Sequence, residues 1–399
     1  MSIKSQVEQT KTARGNVVES LLAVFRARYR STAAAIVMLA ISGCGGPGIR
    51  AANLATTYPS IDQLITSCNA SSGCAITLPP GTFVFTIPLA PRAMFSFRGA
   101  GASWDNPGIP PTAMYPTPER HCLTRLIWEG GSQTPFEVSS YHLQGSRLAG
   151  FCLDATTSPD TFIDIDNFAS GVTLSDIVID DPQVEARIAG IRYGATGPVA
   201  NPMCSNVFVR AAAPIGFDVL FVRAHFVGDH CSAVWNGENE WVVGDVASPV
   251  ESFHCVFCTA EARPGNVPIV VNNAIGFWWT QGYFECGGSS TAYCVDIPDT
   301  AVQARNVVIS DSFVGGDSSL PGADAFVHSD LASAILTITG NQIDYVFANP
   351  AYILKNDAVT HANVTENTMT SAGSGIASSA ANVCSFGNVT SLPLATAAC

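Results

Sequence analysis

The residues best suited to chemistry in this chain are two aspartates that lie two positions apart in an apolar run. Asp164 and Asp166 alternate with Ile163 and Ile165, so a β-strand would bury the isoleucines and turn both carboxylates to the opposite face. Such positions are about 6.5–7 Å apart, near the spacing at which inverting glycosidases hold an acid and a base around a water. We predict that both aspartates are catalytic; the alternative is an acidic surface that serves only solubility.

Carboxylates recur in the next strand-like run, where they could bind a cation. Asp176, Asp180 and Asp181 follow the aspartate pair along the chain. Because Ca²⁺ is coordinated by several oxygen atoms, commonly from carboxylates, these three aspartates are the predicted calcium ligands. The sequence therefore predicts either no cofactor or Ca²⁺ at this position.

A second group combines acids, a histidine and an aromatic ring. Asp229 directly precedes His230, and Glu238, Glu240 and Trp241 come next. An acid beside a histidine can transfer protons, and a tryptophan gives a sugar ring a flat apolar surface. We predict that Asp229 and His230 are catalytic and that Glu238, Glu240 and Trp241 bind substrate. A turn immediately before Glu238 supports the alternative of ordinary solvated charges.

The dipeptide Trp278-Trp279 supplies a further aromatic candidate. It follows Phe277 in a strand-like run, so one tryptophan must point into the core and the other away from it. We predict that Trp278 is the outward residue and stacks against sugar rings. A position beneath a loop is the alternative.

These candidates need a framework, and repetition in the last third of the chain predicts one. Pairs of short alternating runs recur, each followed by an Asn or Asp two places before an apolar residue. The markers Asp311, Asn341, Asn367 and Asn388 lie 30, 26 and 21 residues apart. Such a period indicates stacked units, and two strands per unit without a helical pattern indicate a β-solenoid.

The start of the predicted solenoid has its own pattern. Residues 60–65 are expected to form a short helix that caps the first coil, with Ile61, Leu64 and Ile65 on one face. Strand-like runs and a Pro-Pro-Gly turn follow it. The segment from Leu78 to Gly101, LPPGTFVF…IPL…FSFRGAG, resembles the N-terminal segment of the pectate-lyase-like right-handed parallel β-helix superfamily.

The resemblance implies an all-β fold: a single-stranded right-handed parallel β-helix with a short N-terminal capping helix. It also implies a carbohydrate-active protein, since the superfamily includes polysaccharide lyases, galacturonan hydrolases, epimerases and tailspike depolymerases. A shared fold does not fix an activity. The Arg-Ile-Lys element of the galacturonan hydrolases has no counterpart here. Arg187, Arg192 and Arg210 could each serve as the arginine base of a pectate lyase, although no surrounding motif accompanies them.

The N-terminus has the pattern of a targeting segment. Three arginines precede an apolar run that ends in Ile-Ser-Gly-Cys, which resembles a bacterial lipobox with Cys44 as the lipidated residue. An ordinary secretory signal is the alternative. The predicted organisation is a lipoprotein signal peptide over 1–43, a tether over 44–57, a cap and first coil over 58–101, a Pro-rich loop over 102–121, a parallel β-helix over 122–390 and a tail over 391–399.

The cysteines fit the same location. There are 13, and lipidation of Cys44 would leave an even number able to form disulfides in an oxidising compartment. Cys255 and Cys258 are interpreted as a disulfide because no second CxxC completes a zinc site. Close spacing predicts three further pairs: Cys68–Cys74, Cys286–Cys294 and Cys384–Cys399.

Charge excludes one class of partner. The chain beyond residue 43 has 13 basic and 30 acidic side chains, a net charge of −17, which would repel nucleic acid. We therefore predict an extracellular polysaccharide-active protein of the lyase or glycoside hydrolase type. It would be an outer-membrane lipoprotein of the cell envelope, held at the membrane by its lipid anchor. A non-catalytic glycan-binding or stalk protein is the alternative.

Overall fold

The computed structural model describes most of the chain beyond residue 59. The described ranges are 60–105, 119–180, 184–210, 213–286, 293–315, 323–343, 352–356, 361–369, 375–378 and 383–389. The predicted signal peptide, Cys44, the tether, Asp181 and Cys399 lie outside them. Within these ranges, no helix is both long and apolar enough to cross a membrane.

The predicted parallel β-solenoid is confirmed. The first of its two large sheets, sheet A, comprises 19 of the described strands. They are β1 Cys74–Thr77, β2 Gly81–Phe85, β3 Phe95–Arg98, β6 Thr124–Trp128, β8 Arg147–Ala155, β10 Thr173–Asp180, β12 Met203–Arg210, β14 Phe226–Val234, β16 Phe253–Val256, β17 Thr259–Glu261, β20 Phe277–Thr280, β21 Tyr283–Glu285, β24 Val307–Ser310, β25 Phe313–Gly315, β27 Ile335–Thr339, β28 Gln342–Ile343, β30 His361–Thr365, β31 Thr368–Met369 and β33 Val383–Phe386.

Sheet B comprises ten described strands, and every pair of neighbours in it is parallel. They are β7 Phe136–Ser139, β9 Thr161–Asp166, β11 Ala189–Tyr193, β13 Ile215–Val219, β15 Asn239–Val243, β18 Val267–Val271, β22 Tyr293–Ile297, β26 Ala325–Ser329, β29 Tyr352–Asn356 and β32 Gly375–Ser378. Two small pairs complete the set: β19 Asn273–Ala274 with β23 Gln303–Ala304, and β4 Ala102–Asp105 with β5 Glu119–Cys122.

The core between the sheets consists of side chains that stack from coil to coil. Phe226, Phe253 and Phe277 occupy one register position of sheet A, and their rings stack at 4.8 and 4.9 Å. This spacing is close to the separation of hydrogen-bonded strands, about 4.7–4.9 Å. Like residues in successive coils therefore pack face to face, which buries a continuous apolar interior.

The predicted capping helix is present as α1, Ile61–Ala70. Ser60 caps it, and its buried face includes Ile61, Leu64 and Ile65, as the sequence indicated. The Asp62 carboxylate accepts hydrogen bonds from the backbone N–H groups of Thr86 and Ile87, beyond β2. The helix is thus joined to the first coil by a buried face and by its exposed acidic residue.

Sheet A turns a corner within each coil, and one residue per coil adopts a left-handed backbone there. Ten residues share the conformation, with φ between 51° and 74°. They are Gly150, Asp176, Asn206, His230, Phe257, Gln281, Asp311, Gly340, Glu366 and Gly387. We call this column the corner column. Its regularity fixes the register of the residues on either side of it.

Asparagines directly after the corner column form an internal ladder. Asn367 Oδ1 accepts from the backbone N–H and the side-chain amide of Asn341, at 3.0 and 2.9 Å. Asn388 Oδ1 accepts in the same way from Asn367. The marker pattern was wrong at one coil, because Asp311 belongs to the corner column and Ser312 occupies the ladder position.

Disulfides reinforce the stack. The pairs Cys68–Cys74, Cys286–Cys294 and Cys255–Cys258 are confirmed. Cys384 is also disulfide-bonded, although its predicted partner lies outside the described residues. Two bridges that the sequence left unassigned complete the set, Cys122–Cys152 and Cys204–Cys231.

The β4–β5 ribbon covers part of the outer face of sheet A. It is formed by the two ends of the predicted Pro-rich loop. Ala102 and Cys122 pack there against outward apolar side chains, among them Phe208 and Val234, and the Cys122–Cys152 bridge holds the ribbon in place. This cover explains why sheet A carries apolar residues outside the core as far as β14.

Two residues predicted to bind substrate belong to the interior. Trp241 is fully buried and stacks on Phe217 at 4.0 Å, while Glu240 is 1% exposed and accepts hydrogen bonds from Asn236. The prediction was wrong because Trp241 sits at an inward register position of β15. Burial raises the pKa of Glu240 to about 8, although the Asn236 hydrogen bonds oppose the shift.

We expect Asn367→Ala to destabilise the fold by roughly 3 kcal/mol, because it leaves the Asn341 N–H and the Ile338 carbonyl without their partners. Urea denaturation measures this change. Asn363→Ala is the control, since Asn363 is exposed on β30, and it should shift stability by less than about 0.5 kcal/mol. Equal effects of the two substitutions would contradict a ladder role.

We expect stability to fall as the pH rises from about 5 to 8. Glu240 is protonated in the folded state over this range but ionised when unfolded, so the folded state binds more protons. This residue contributes a slope of up to about 1.4 kcal/mol per pH unit. Glu240→Gln removes the titration and should flatten the dependence measured by denaturation at several pH values. An unchanged slope would show that Glu240 ionises normally.

Candidate functional site

Charged side chains form a row along the outer face of sheet B. Each occupies the same register position, between two inward residues of its strand, so neighbours in the row lie one coil apart. The row consists of Glu137, Asp164, Arg192, Asp218, Val242, Val270, Asp296, His328 and Lys355. Two valines thus separate two charged groups.

The first group, the Arg192 cluster, comprises Asp164, Arg192 and Asp218. Arg192 donates two hydrogen bonds to the Asp164 carboxylate, at 2.7 and 3.2 Å, and this interaction raises the arginine pKa. Asp218, on the next coil, is 5% exposed, and its Oδ1 has no hydrogen-bond partner. Burial raises the pKa of Asp218 to about 6, against the opposing effect of Arg192. Sequence reasoning missed Asp218, whose short strand carries no motif.

Asp166 is positioned differently from its predicted partner. Its carboxylate accepts from the backbone N–H groups of Asn167, Thr196 and Gly197 and from the Thr196 hydroxyl. It is also buried, whereas the sequence pattern placed it on an open face. Both oxygens of Asp166 therefore hold the turn after β9 against the next coil, while Asp164 is ion-paired with Arg192.

The second group, the His328 cluster, comprises Tyr293, Asp296, His328, Asp330 and Lys355. His328 is 4% exposed, and its two ring nitrogens face carboxylates, with Nδ1 2.7 Å from Asp296 and Nε2 3.2 Å from Asp330. An ionised carboxylate only accepts hydrogen bonds, so a doubly protonated ring satisfies both contacts. Asp330 is the more exposed of the two acids.

Tyr293 covers this histidine. Its ring stacks on the imidazole at 3.8 Å, and Lys355 lies 5.8 Å from the ring centre. Lys355 also pairs with Asp324 at 2.8 Å. Burial raises the pKa of Tyr293, an effect that Lys355 opposes. The phenol therefore remains a proton donor in neutral solution.

The His328 cluster was not among the sequence candidates, although a signal for it existed. Asp296, His328 and Lys355 each directly follow two consecutive apolar residues of a strand-like run in the repeat pattern. Aligning those runs residue by residue would have placed an acid, a histidine and a lysine in one row. A search for short motifs could not have found this row, because Asp296, His328 and Lys355 lie 32 and 27 residues apart.

The other predicted residues lie on sheet A. Asp229 and His230 are in contact at 2.7 Å, and both are more than half exposed. Trp278 is partly exposed while Trp279 is buried, as alternation indicated. Glu238 is exposed in the turn after β14. These residues are on a different sheet from Asp164 and Asp166, so the structure does not unite the two predicted catalytic pairs.

Two of the three predicted calcium ligands have other partners in the structure, and the third, Asp181, lies outside the described residues. Asp180 forms a two-point ion pair with Arg210, and Asp176 accepts from the Asn206 amide at the corner column. In the described ranges, no group of three or more His, Cys, Asp or Glu residues is arranged to hold a metal ion.

Comparison with known proteins identifies no family. No protein-family model matches the chain, and no curated protein matches it. Among solved structures it is similar to tailspike protein gp49 of Acinetobacter baumannii bacteriophage Fri1, a capsular polysaccharide depolymerase, with 10% identity and a TM-score of 0.49 over 84% of this chain and 60% of that chain.

Two other solved structures are similar at lower scores. One is the catalytic domain of a GH87 α-1,3-glucanase in complex with nigerose, at 16% identity and a TM-score of 0.42 over 82% of this chain and 63% of that one. The other is the A-module of a mannuronan C-5 epimerase from Azotobacter vinelandii, at 15% identity and a TM-score of 0.40 over 82% of this chain and 90% of that one. The chain spans half to two thirds of the length of the first structures it matches. Its function must therefore be argued from its own residues.

Proposed function

We propose that this protein cleaves an extracellular acidic polysaccharide by β-elimination at the His328 cluster. The observation that carries the proposal is the convergence of a histidine, a tyrosine and a lysine from three successive strands of sheet B, with carboxylates on both sides of the imidazole. A base, an acid and a cation are the three groups that this reaction requires.

Each side chain has a role that follows from its contacts. Asp296 holds Nδ1 of His328 and orients the ring, as the carboxylate of a catalytic triad does. When the substrate binds, Asp330 takes the proton from Nε2 and turns away, which leaves Nε2 of the neutral ring to accept the proton from C5 of a uronate. The C4–O bond then breaks, a double bond forms between C4 and C5, and the Tyr293 phenol protonates the departing oxygen.

The acidic substrate follows from the distribution of positive charge. Lys355 is the only lysine beyond residue 11 in a chain rich in acidic residues, and it lies in this cluster. Placed beside the substrate carboxylate, its ammonium group would stabilise the negative charge that develops when the C5 proton leaves. Arg192, four coils before Asp296 in the same row, offers a second cation for a chain that runs along sheet B.

Elimination fits the cluster better than hydrolysis does. A glycosidase needs two carboxyl groups on opposite sides of the scissile bond. Asp296 and Asp330 instead both bind the imidazole, and Asp324 binds Lys355. The Asp164 and Asp166 carboxylates are likewise committed to Arg192 and to the turn after β9.

The proposed location is the cell envelope. Five disulfides join ten of the eleven described cysteines, the eleventh, Cys384, is also disulfide-bonded, and such bridges persist in oxidising compartments. We propose that the segment ending at Cys44 directs export and that lipid on Cys44 anchors the protein to the outer membrane. An anchored β-helix would meet its polysaccharide outside the cell.

We expect the purified protein to release products that absorb in the ultraviolet from polygalacturonate or alginate, but not from dextran, which lacks a uronate. Tyr293→Phe keeps the ring stack and removes the proton donor, so it should lower turnover roughly a hundredfold or more. His328→Ala should have a similar or larger effect, with folding checked by circular dichroism.

The matched control is His361→Ala, which removes an exposed histidine from sheet A and should leave turnover unchanged. Reducing ends without ultraviolet-absorbing product would indicate hydrolysis and contradict the elimination. Failure to cleave any acidic polysaccharide would favour a protein that only binds glycan.

For the anchor, we expect Cys44→Ser to move the protein from the membrane fraction to the soluble fraction of its native host, because two or more acyl chains give stable membrane attachment. Fractionation followed by immunoblotting measures the distribution. If the variant still sediments with membranes, Cys44 is not the anchor.

A further inference from the structure

An exposed phenylalanine stands at a position of the backbone that does not favour it. Phe257 belongs to the corner column, with φ of 53°, and its side chain is 47% exposed. Left-handed backbone favours glycine and asparagine and is strained for bulky residues. Six of the other nine residues of the corner column are Gly, Asn or Asp, and the remaining three, His230, Gln281 and Glu366, are polar. Neither core packing nor backbone preference explains an aromatic ring here, and strain of this kind is commonly retained at functional sites.

Phe257 belongs to a larger group, which we call the aromatic–histidine patch: His225, His230, His254, Phe257 and Trp278. The rings of Phe257 and His230 stack at 5.0 Å, and those of Trp278 and His254 stack at 4.3 Å. The His225 and His254 rings are 5.6 Å apart. Five rings from three successive coils therefore share one outer surface of sheet A.

The patch is held in place from beneath. Ser252 Oγ lies 2.8 Å from His225 Nδ1 and 3.1 Å from His254 Nε2, so one buried hydroxyl fixes two of the rings. The Cys255–Cys258 disulfide brackets Phe257. A Cβ atom on Gly228 would lie 2.6 Å from Cys255 Sγ, so the neighbouring coil has a glycine where the disulfide needs room.

The patch also lies where the cover of sheet A ends. The β4–β5 ribbon packs on outward residues as far as Val234 of β14, whereas Phe257 and Trp278 belong to the next two coils. These two rings are one coil and three residues apart along the strands, roughly 11 Å. That distance is longer than a single sugar ring, so one chain would contact the two aromatic rings through sugar units that are not adjacent.

The charge of the patch differs from that of the rest of the chain. It contains three of the seven histidines of a protein with net charge −13, and the acids near it are Asp229, paired with His230, and the exposed Glu251. Every imidazole has at least one N–H group that can donate to a carboxylate, although burial lowers the pKa of His254. The patch is therefore suited to an acidic chain, which the net negative charge of the protein as a whole repels.

We propose that the aromatic–histidine patch is a second carbohydrate-binding site, which holds an acidic polysaccharide with sugar rings stacked on Phe257 and Trp278 and acidic groups beside the histidines. The site lies on sheet A, away from the His328 cluster on sheet B. It does not depend on the chemistry proposed there, and it would retain the polymer near the protein whether or not the polymer is cleaved.

The test measures binding to alginate and polygalacturonate at pH 5.5 by affinity gel electrophoresis, with dextran as the neutral probe. All variants carry Tyr293→Phe, so that turnover does not consume the probe. Phe257→Gly and Trp278→Ala should each weaken binding of at least one acidic probe roughly fivefold or more. Phe168→Gly is the matched control, because Phe168 is also exposed, at 52%, with φ of 65°, but follows a strand of sheet B. It should leave affinity unchanged.

Thermal unfolding separates binding from a structural role. Glycine suits the left-handed corner, so Phe257→Gly should unfold at the same or a higher temperature than its parent. A large loss of stability would mean that Phe257 is needed for packing, which overturns the proposal. The proposal also fails if neither acidic probe binds the parent, if dextran binds equally well, or if a variant that combines Phe257→Gly with Trp278→Ala binds normally. Finally, a patch that joins two copies of the chain would reveal itself as a dimer lost in Phe257→Gly, and that result would overturn it too.

Discussion

In-register stacking of parallel strands is the constraint on which every other feature of this protein depends. Each coil repeats the path of the previous one, so each residue lies about 4.8 Å from the residue at the same position of the next coil. Phenylalanines stack inside, asparagine amides bond along the corner, and charged side chains form a row outside. The same geometry that satisfies the backbone thus brings together residues about 30 positions apart in sequence.

This constraint explains which predictions succeeded. The repeat markers at Asn341, Asn367 and Asn388 identified the solenoid because the ladder places an asparagine amide in each of these three successive coils. The orientations of Trp278 and Trp279 followed from alternation within one strand. At Asp311 the pattern slipped by one residue, since the corner residue and the ladder residue are adjacent and either can be acidic or polar.

The site could be predicted only in part, for reasons that are equally physical. Alternation assigned Asp164 and Asp166 to one face but could not show that Arg192 and the turn at Thr196 would occupy their oxygens. Glu240 and Trp241 followed a turn, so the phase of their strand was unknown. His328 and Lys355 are neighbours because the number of residues between them equals one coil. Loops of irregular length prevent that number from being predicted from the sequence.

The disulfides have a mechanical consequence. Cys204–Cys231 joins neighbouring coils, and Cys122–Cys152 ties the ribbon to sheet A, so these coils cannot be peeled away in sequence while the bridges are intact. Between β21 and β31, neighbouring described coils are held together by strand pairing, core packing and the asparagine ladder, all of them non-covalent. Cys384 in β33 is disulfide-bonded to a partner outside the described residues. Under tension along the chain, unravelling would start between β21 and β31 and be arrested at the first covalent crosslink between coils. The crosslinked coils before β21 therefore resist extension, whereas the coils between β21 and β31 can unfold and lengthen under load.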